Sequence, residues 1–427
     1  MQYVVTFFKK IAASRQVKRK LLFTFLILLL FRLLANIPLP GVDIVQLQSL
    51  FAGNEFLGLM NIFSGGTLSN FSIVSVGINA FITASIIMQL AALLIPKLKE
   101  LQKDGESGRE TVNQYTRLLS VPLAVFQSIS VLLLLRSQNL LIADNPIAIA
   151  TMVVTLVAGA ALVMWLGELI TQYGLGNGIS MVLLGGILSQ IPSAIAQLTV
   201  LSTGASIMPL IITIGLGFLV MMLVVFMNEA IRKVAIQYAR RVRGSRTYGG
   251  QLTHLPIKVN VTGVLPIIFA VTIMLVPSFL QQILITQSSP QLQAIGRWIS
   301  IYLSQTSPWY LSLYFLIVFV FTYFSALVFF NADDLSKELK KSGAFVPGIR
   351  PGSPTKKFLE YVVTRTTFAG ALFLGVIAIL PLLAQQLTGI QSLAIGGTSV
   401  LIVVSVILDT AKQIESQFLE HNYDKYI

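Results

Sequence analysis

Read for apolar and polar positions, the chain falls into ten apolar runs separated by polar stretches. They lie at about 21–37, 71–95, 117–136, 147–168, 179–197, 208–227, 263–285, 308–331, 366–387 and 393–411. A helix needs about 20 mostly apolar residues to cross a bilayer, so each run reads as a candidate span. The run 179–197 is short and interrupted by Pro192. One apolar piece, Phe56 to Phe63, is too brief to cross. It is joined to the run from Phe71 by Ser64-Gly65-Gly66 and Ser69-Asn70, and no charge intervenes between Glu55 and Lys97. A short piece cannot offer unpaired backbone groups to lipid. It either lies along the outer surface or re-enters the membrane within a protein-lined cavity.

Charge fixes the orientation. With the N-terminus inside, inside segments carry twenty-seven of the thirty Lys and Arg residues, leaving Arg32, Arg136 and Arg297. That asymmetry is the positive-inside pattern. Residues 1–20 hold Lys9, Lys10, Arg15, Lys18, Arg19 and Lys20 and imitate the start of a signal peptide. No small-residue cleavage site follows, and Arg32 interrupts the first run, so it reads as an uncleaved first span. Trp298, Tyr302, Trp309 and Tyr310 flank the outer end of the eighth span, as interfacial aromatics do. Ten spans divide into five and five, and two related odd-numbered halves would lie inverted in the membrane.

Composition narrows the chemistry. Only 11% of residues are charged and mean hydropathy is +0.80, against about 25% charged for a soluble domain. The chain has no cysteine and two histidines, His254 and His421. Disulfides, thiolate catalysis and Cys-type zinc sites are excluded, and no HExxH or GxSxG pattern offers a hydrolase centre. The reading is therefore not an enzyme, with no cofactor. Arg32, Glu168 and Asp409 fall near span ends rather than at midplane, a poor basis for an ion relay. The run YGLGNGIS before span five has no preceding strand and no phosphate-binding Lys, so its default role is a packed turn.

Two inside loops, 229–262 and 332–366, far exceed the few residues that join two helices. In the first, Val234, Ile236 and Tyr238 alternate with Lys233, Ala235 and Gln237, and Ile257, Val259 and Val261 alternate with Lys258 and Asn260. Two extended arms flanking the basic tip QYARRVRGSRTYGG are expected. In the second, DDLSKELKKSG predicts a short helix stopped by Gly343, and Ser353-Pro354 an N-cap and first position of the next helix. Such projections suit RNA phosphates, acidic protein surfaces or anionic lipid heads.

Five stretches carry a family resemblance: NIFSGGTLSNFSIVSVGI, YGLGNGIS, THLPIKVNVTGVLPIIFA, KKSGAFVPGIRPG and GGTSVLIVV. In this order they resemble the SecY family of protein-translocation channels in its bacterial form, from about Arg19 to about Gln417. The resemblance implies an all-α polytopic membrane protein with ten transmembrane helices in two inverted five-helix halves around an hourglass pore. On this chain the divisions are a cytoplasmic segment 1–20, halves 21–200 and 201–411, and a cytoplasmic tail 412–427.

The resemblance also assigns sites. The plug covers about 55–69 and includes Phe56, Leu57, Met60, Asn61, Ile62, Phe63, Ser64, Gly65 and Gly66. The pore ring comprises Ile78, Ile82, Ile179, Leu183, Ile268 and Ile402. Ile78/Ile82 and Ile179/Leu183 are each four apart and so share a helix face. A lateral opening lies between spans two–three and seven–eight. Arg240, Arg241, Arg243, Arg246 and Arg350 belong to surfaces that dock cytoplasmic partners. Many members carry Met-Pro where this chain has Asn79-Ala80, which removes the expected kink, and Ser245 replaces a common basic residue in the tip. Implied partners are the small subunits SecE and SecG, the motor ATPase SecA, the ribosome, signal peptides and nascent polypeptides, and membrane lipid. The implied location is the bacterial plasma membrane. Two other readings stand beside this one: an inverted-repeat secondary transporter of a small solute, which requires coupling-ion ligands at midplane, and a membrane scaffold without a pore.

Overall fold

The computed structural model describes residues 14–423 except 48–60, 62, 63, 65, 104, 139, 143, 144, 193–207, 239, 240, 244, 245, 249–251, 262, 264, 286–288, 305, 306 and 389–391. Among the described residues there are thirteen helices. They are α1 (Arg15–Ala35), α2 (Gly77–Leu94), α3 (Pro96–Lys103), α4 (Gly105–Ser137), α5 (Pro146–Tyr173), α6 (Gly178–Leu188), α7 (Met208–Glu229), α8 (Leu265–Ile285), α9 (Pro290–Tyr302), α10 (Pro308–Phe329), α11 (Ala332–Lys341), α12 (Ser353–Thr388) and α13 (Ser392–Tyr423). Strands β1 (Ile231–Tyr238), β2 (Arg241–Arg243), β3 (Arg246–Tyr248) and β4 (Leu252–Lys258) follow α7, and β5 (Ala344–Phe345) follows α11.

Each of the ten apolar runs falls on a helix, namely α1, α2, α4 to α8, α10, α12 and α13. Among the described residues four stretches are long and apolar enough to cross a membrane alone: Glu110–Leu133, Pro146–Tyr173, Pro308–Ala326 and Ser353–Leu383. Boundaries depart from the sequence reading where the apolar pattern says nothing about backbone geometry. The run from Phe71 becomes helical only at Gly77, because Phe71 takes a left-handed φ of 40° and residues 66–76 form turns and bends. The helices α4 and α12 continue well beyond their apolar windows, since water allows a charged helix as readily as a loop. The helix α12 starts at Ser353 itself, with Lys356 N donating to Gly352 O at 3.0 Å, so Gly352 holds the capping place expected of Ser353. The return arm ends at Lys258: Val259 N still donates to Ala230 O at 3.0 Å, but Val259 and Val261 lie in bends outside the strand.

The chain forms two compact units, 1–210 with 406–427, and 211–405. In the first, α2, α4 and α5 pack together around buried Val76, Ala80, Ala124, Leu132, Leu156 and Ala160. The small residues matter, because lipid supplies no hydrophobic drive between helices and close backbone approach must replace it. Outward side chains such as Leu22 and Phe25 on α1 and Leu118 and Phe126 on α4 are exposed, as lipid-facing positions are.

In the second unit α10 packs on α8 and α12. Phe319 meets Phe368 edge-on at 5.5 Å and Phe269 meets Phe321 at 6.1 Å. The two long loops join here. Antiparallel β1 pairs with β4 from Ile231↔Lys258 to Gln237↔Leu252, and β5 from the other loop adds Gln237↔Phe345 and Tyr238↔Ala344. Val234, Ile236 and Ile257 from the first loop then share one apolar core with Ala332, Leu339, Ala344 and Val346 from the second and Leu359 and Val363 of α12. Gly343, at φ 71°, makes the turn from α11 into β5 that a side chain would strain.

Candidate functional site

Of the residues assigned to the plug, Phe56, Leu57, Met60, Ile62, Phe63 and Gly65 lie outside the described residues. Asn61, Ser64 and Gly66 are described, and they form a hydrogen-bonded knot at the base of that segment. Asn61 Oδ1 accepts from Ser69 N at 2.9 Å, Asn61 O accepts from Gly66 N at 2.7 Å and Ser64 Oγ at 2.8 Å, and Ser64 Oγ accepts from Leu68 N at 3.2 Å. The base is tied down on two sides. Leu39 N donates to Phe71 O at 2.8 Å and Ile73 N to Ile37 O at 3.1 Å. Behind it, a Cβ on Gly159 of α5 would lie 1.9 Å from Ile73 O, so only glycine lets this backbone seat against the helix. Short polar side chains capping local backbone groups fit a compact turn within an apolar setting.

The six aliphatic side chains are placed as follows. Ile78 is buried and Ile82 half-buried, one turn apart on α2; Ile179 is half-buried and Leu183 buried, one turn apart on α6. Ile179 Cγ1 lies against Gly167 of α5, 3.1 Å from where a Cβ would stand. In the second unit Ile268 on α8 and Ile402 on α13 are both buried. The helix α2 runs unbroken through Asn79-Ala80, in keeping with the missing proline.

The run YGLGNGIS is a packed turn between α5 and α6. Thr24 Oγ1 of α1 accepts from Leu175 N at 3.0 Å while donating to Lys20 O at 2.9 Å, and Thr171 Oγ1 accepts from Gly178 N at 2.9 Å. A Cβ on Gly178 would fall 1.7 Å from Gly167 O. Asn177 caps α6 by accepting from Ser180 N. Glu168, half-buried at the end of α5, pairs with Arg117 of α4.

The basic residues divide between the loops. Arg240 lies outside the described residues. Arg241 and Arg243 stand on β2 and Arg246 on β3, with Arg243 directly opposite Arg246. Arg350 is exposed, and its carbonyl accepts from Thr355 Oγ1 at 2.9 Å. On α11 the exposed carboxylate of Asp333 pairs with Lys337 at 2.5 Å and Lys356 at 3.4 Å. Hydrogen bonding from Lys337 holds the Asp333 carboxyl below its ordinary range and, reciprocally, raises Lys337.

Two features carried no sequence signal. One is the joining of the loops through β5. The other is a side-chain chain at the start of α8: Asn260 Nδ2 donates to Asn228 Oδ1 at 2.9 Å, and Asn228 Nδ2 to Ser405 Oγ at 2.7 Å.

This multi-helix fold as a whole superposes on solved translocation channels. A SecY protein whose plug domain stabilises the closed state of the translocation channel superposes with TM-score 0.64 at 19% identity, over 94% of this chain and 93% of that one. Sec61 in the canine ribosome-channel complex from the endoplasmic reticulum gives 0.59 at 17% identity, with the same coverages. These define the class, a polytopic helical fold shared with those channels. The model of the SecY family matches residues 72–411. The protein translocase subunit SecY of Streptomyces scabiei is 39% identical over 99% of this chain and all of its own length, and that of Thermus thermophilus is 40% identical over 96% and 95%. The chain belongs to the SecY family, the channel subunits of protein translocases.

Proposed function

We infer that this chain is the passive pore through which unfolded secretory polypeptides cross a bacterial plasma membrane and from which transmembrane segments leave sideways into lipid. Identity of 39–40% to SecY translocase subunits over nearly the full length carries the reading. The rival small-solute transporter gains nothing from any relative.

The mechanism follows from the residues assigned to it. Ile78, Ile82, Ile179, Leu183, Ile268 and Ile402 supply a constriction with no charge to trap a passing chain. A narrow apolar neck excludes water and gates by dewetting, and an ion crossing it loses hydration at high cost. The segment 55–69 adds closure at rest, hinged on the knot at Asn61, Ser64 and Ser69. Substrate segments are sorted by partition: a central Leu favours lipid by roughly 0.5 kcal/mol, and a central Asp or Lys opposes it by roughly 3 kcal/mol. Force comes from a partner, either the ribosome or the SecA motor, docking on the basic tip Arg240, Arg241, Arg243 and Arg246 and on Arg350. SecE and SecG complete the channel. Both termini are cytoplasmic in this reading, which rests on the distribution of Lys and Arg.

The absence of native cysteine makes the test clean. Cysteine is placed at Ile82, and a stalled secretory precursor carries a single cysteine. A disulfide between them is expected. Crosslinks confined to lipid-facing positions such as Phe126 would refute the pore route.

A further inference from the structure

The connection between α8 and α10 contains a helix with an apolar face that the described residues leave about half exposed. In α9, Leu292, Ile295, Trp298 and Tyr302 recur at three- and four-residue spacing and therefore share one face. They are 37%, 50%, 57% and 41% exposed, whereas Gly296 is buried, and the helix packs on α8. Trp298 and Tyr302 pair their rings at 5.0 Å. The opposite face carries Arg297, the sole charged side chain between Lys258 and Asp333.

Three observations point to lipid as the occupant. The tethers are short: four residues separate Ile285 from Pro290, and five separate Tyr302 from Pro308. At roughly 3.5 Å per residue neither end of α9 can leave the membrane surface by more than about 20 Å. The helices on either side also expose large apolar side chains, Leu280 on α8 and Trp309 in the first turn of α10. Finally, an apolar stripe with Trp and Tyr at one end and a lone basic residue opposite is the arrangement of a helix lying in a bilayer interface.

We propose that α9 is an interfacial helix, its Leu292–Ile295–Trp298–Tyr302 face set into the acyl boundary of the bilayer and Arg297 turned toward phosphates and water. The outer link between α8 and α10 is then anchored to lipid rather than free in water. In the proposed function these are spans seven and eight, one wall of the side exit, so their outer ends are held at a fixed depth.

The full chain with Trp165→Phe and Trp309→Phe leaves Trp298 as its sole tryptophan. It is reconstituted into nanodiscs of phosphatidylcholine and phosphatidylglycerol. Lipid nitroxides at acyl carbon 5 are expected to quench Trp298 about twofold more than nitroxides at carbon 12, as a helix seated about 5–10 Å deep requires. Independently, a spin label on Ile295→Cys should be more accessible to oxygen than to a water-soluble nickel chelate. Greater accessibility to the chelate would show the face in water, and shielding from both agents would show a protein cover; either result overturns the proposal. Neither readout depends on conduction, so translocation by the same variants reports separately on the proposed function.

Discussion

The turn between α5 and α6 and the two joined long loops are both tightly held, by opposite means. In the turn, backbones touch. Gly178 sits where a Cβ would be 1.7 Å from Gly167 O, and Leu175 N is held by Thr24 from a distant helix. In the loops side chains touch, and Val234, Ile236, Leu339 and Leu359 bury a small core of ordinary soluble kind. Between helices that run into lipid, burial of an apolar side chain gains little, and close backbone approach where their ends meet does the holding. Where solvent is water, burial gains about 25 cal/mol per Å² and a core forms. The first arrangement tolerates almost no added atom, and the second tolerates reshaping at constant volume.

The sharpest test of that contrast is Gly178→Ala. Overpacking typically costs about 1–3 kcal/mol, and here the clash is with a backbone carbonyl that no rotamer relieves, so the upper end or beyond is expected. Loss of folded chain after detergent extraction measures it; a variant of normal yield and melting temperature would break the comparison. Leu359→Ala in the loop core should cost about 2–5 kcal/mol, while Leu359→Met stays under about 1.5 kcal/mol. Protease nicking of the loops reports it, and equal harm from both changes would show that the loops are not held by a core. Asn228→Ala removes the acceptor of Asn260 and the donor to Ser405, and a loss of about 1–3 kcal/mol follows. Thermal unfolding checks it.

The smallest effect belongs to Asp333. Its carboxyl is lowered by hydrogen bonding from Lys337, so its contribution is full above the ordinary carboxylate range and falls away as pH drops through the lowered folded value. Lys337 is raised, so its contribution is full below the ordinary lysine range and is lost as pH climbs through the raised folded value. Both groups are in water, which screens the pair. Asp333→Asn should flatten those two limbs of local protease resistance and leave the neutral-pH value nearly unchanged.

The spans were legible because a bilayer demands a fixed length of apolar chain, and each of the ten windows lies on a helix. The alternation at Val234, Ile236 and Tyr238 likewise gave β1, since the side-chain period of a strand is written in the sequence. The α9 helix was read only as a cluster of outer aromatics, because its thirteen residues are too few and too mixed to register as a span. The glycines of YGLGNGIS stood out as a turn, but their close partners did not, since a backbone contact leaves no mark on the residue at the other side.

By itself the sequence located the apolar windows that fold as helices, the strand period of β1, and the motifs that join this chain to the SecY family. Those properties depend on solvent transfer and local period, which each segment carries alone. The tertiary structure alone decided that β5 completes the β4-β1 sheet, that Gly159 seats the backbone of Ile73, and that Asn228 links Asn260 to Ser405. Those are meetings between residues distant in the chain, and no one-dimensional pattern encodes which of many compatible faces will touch.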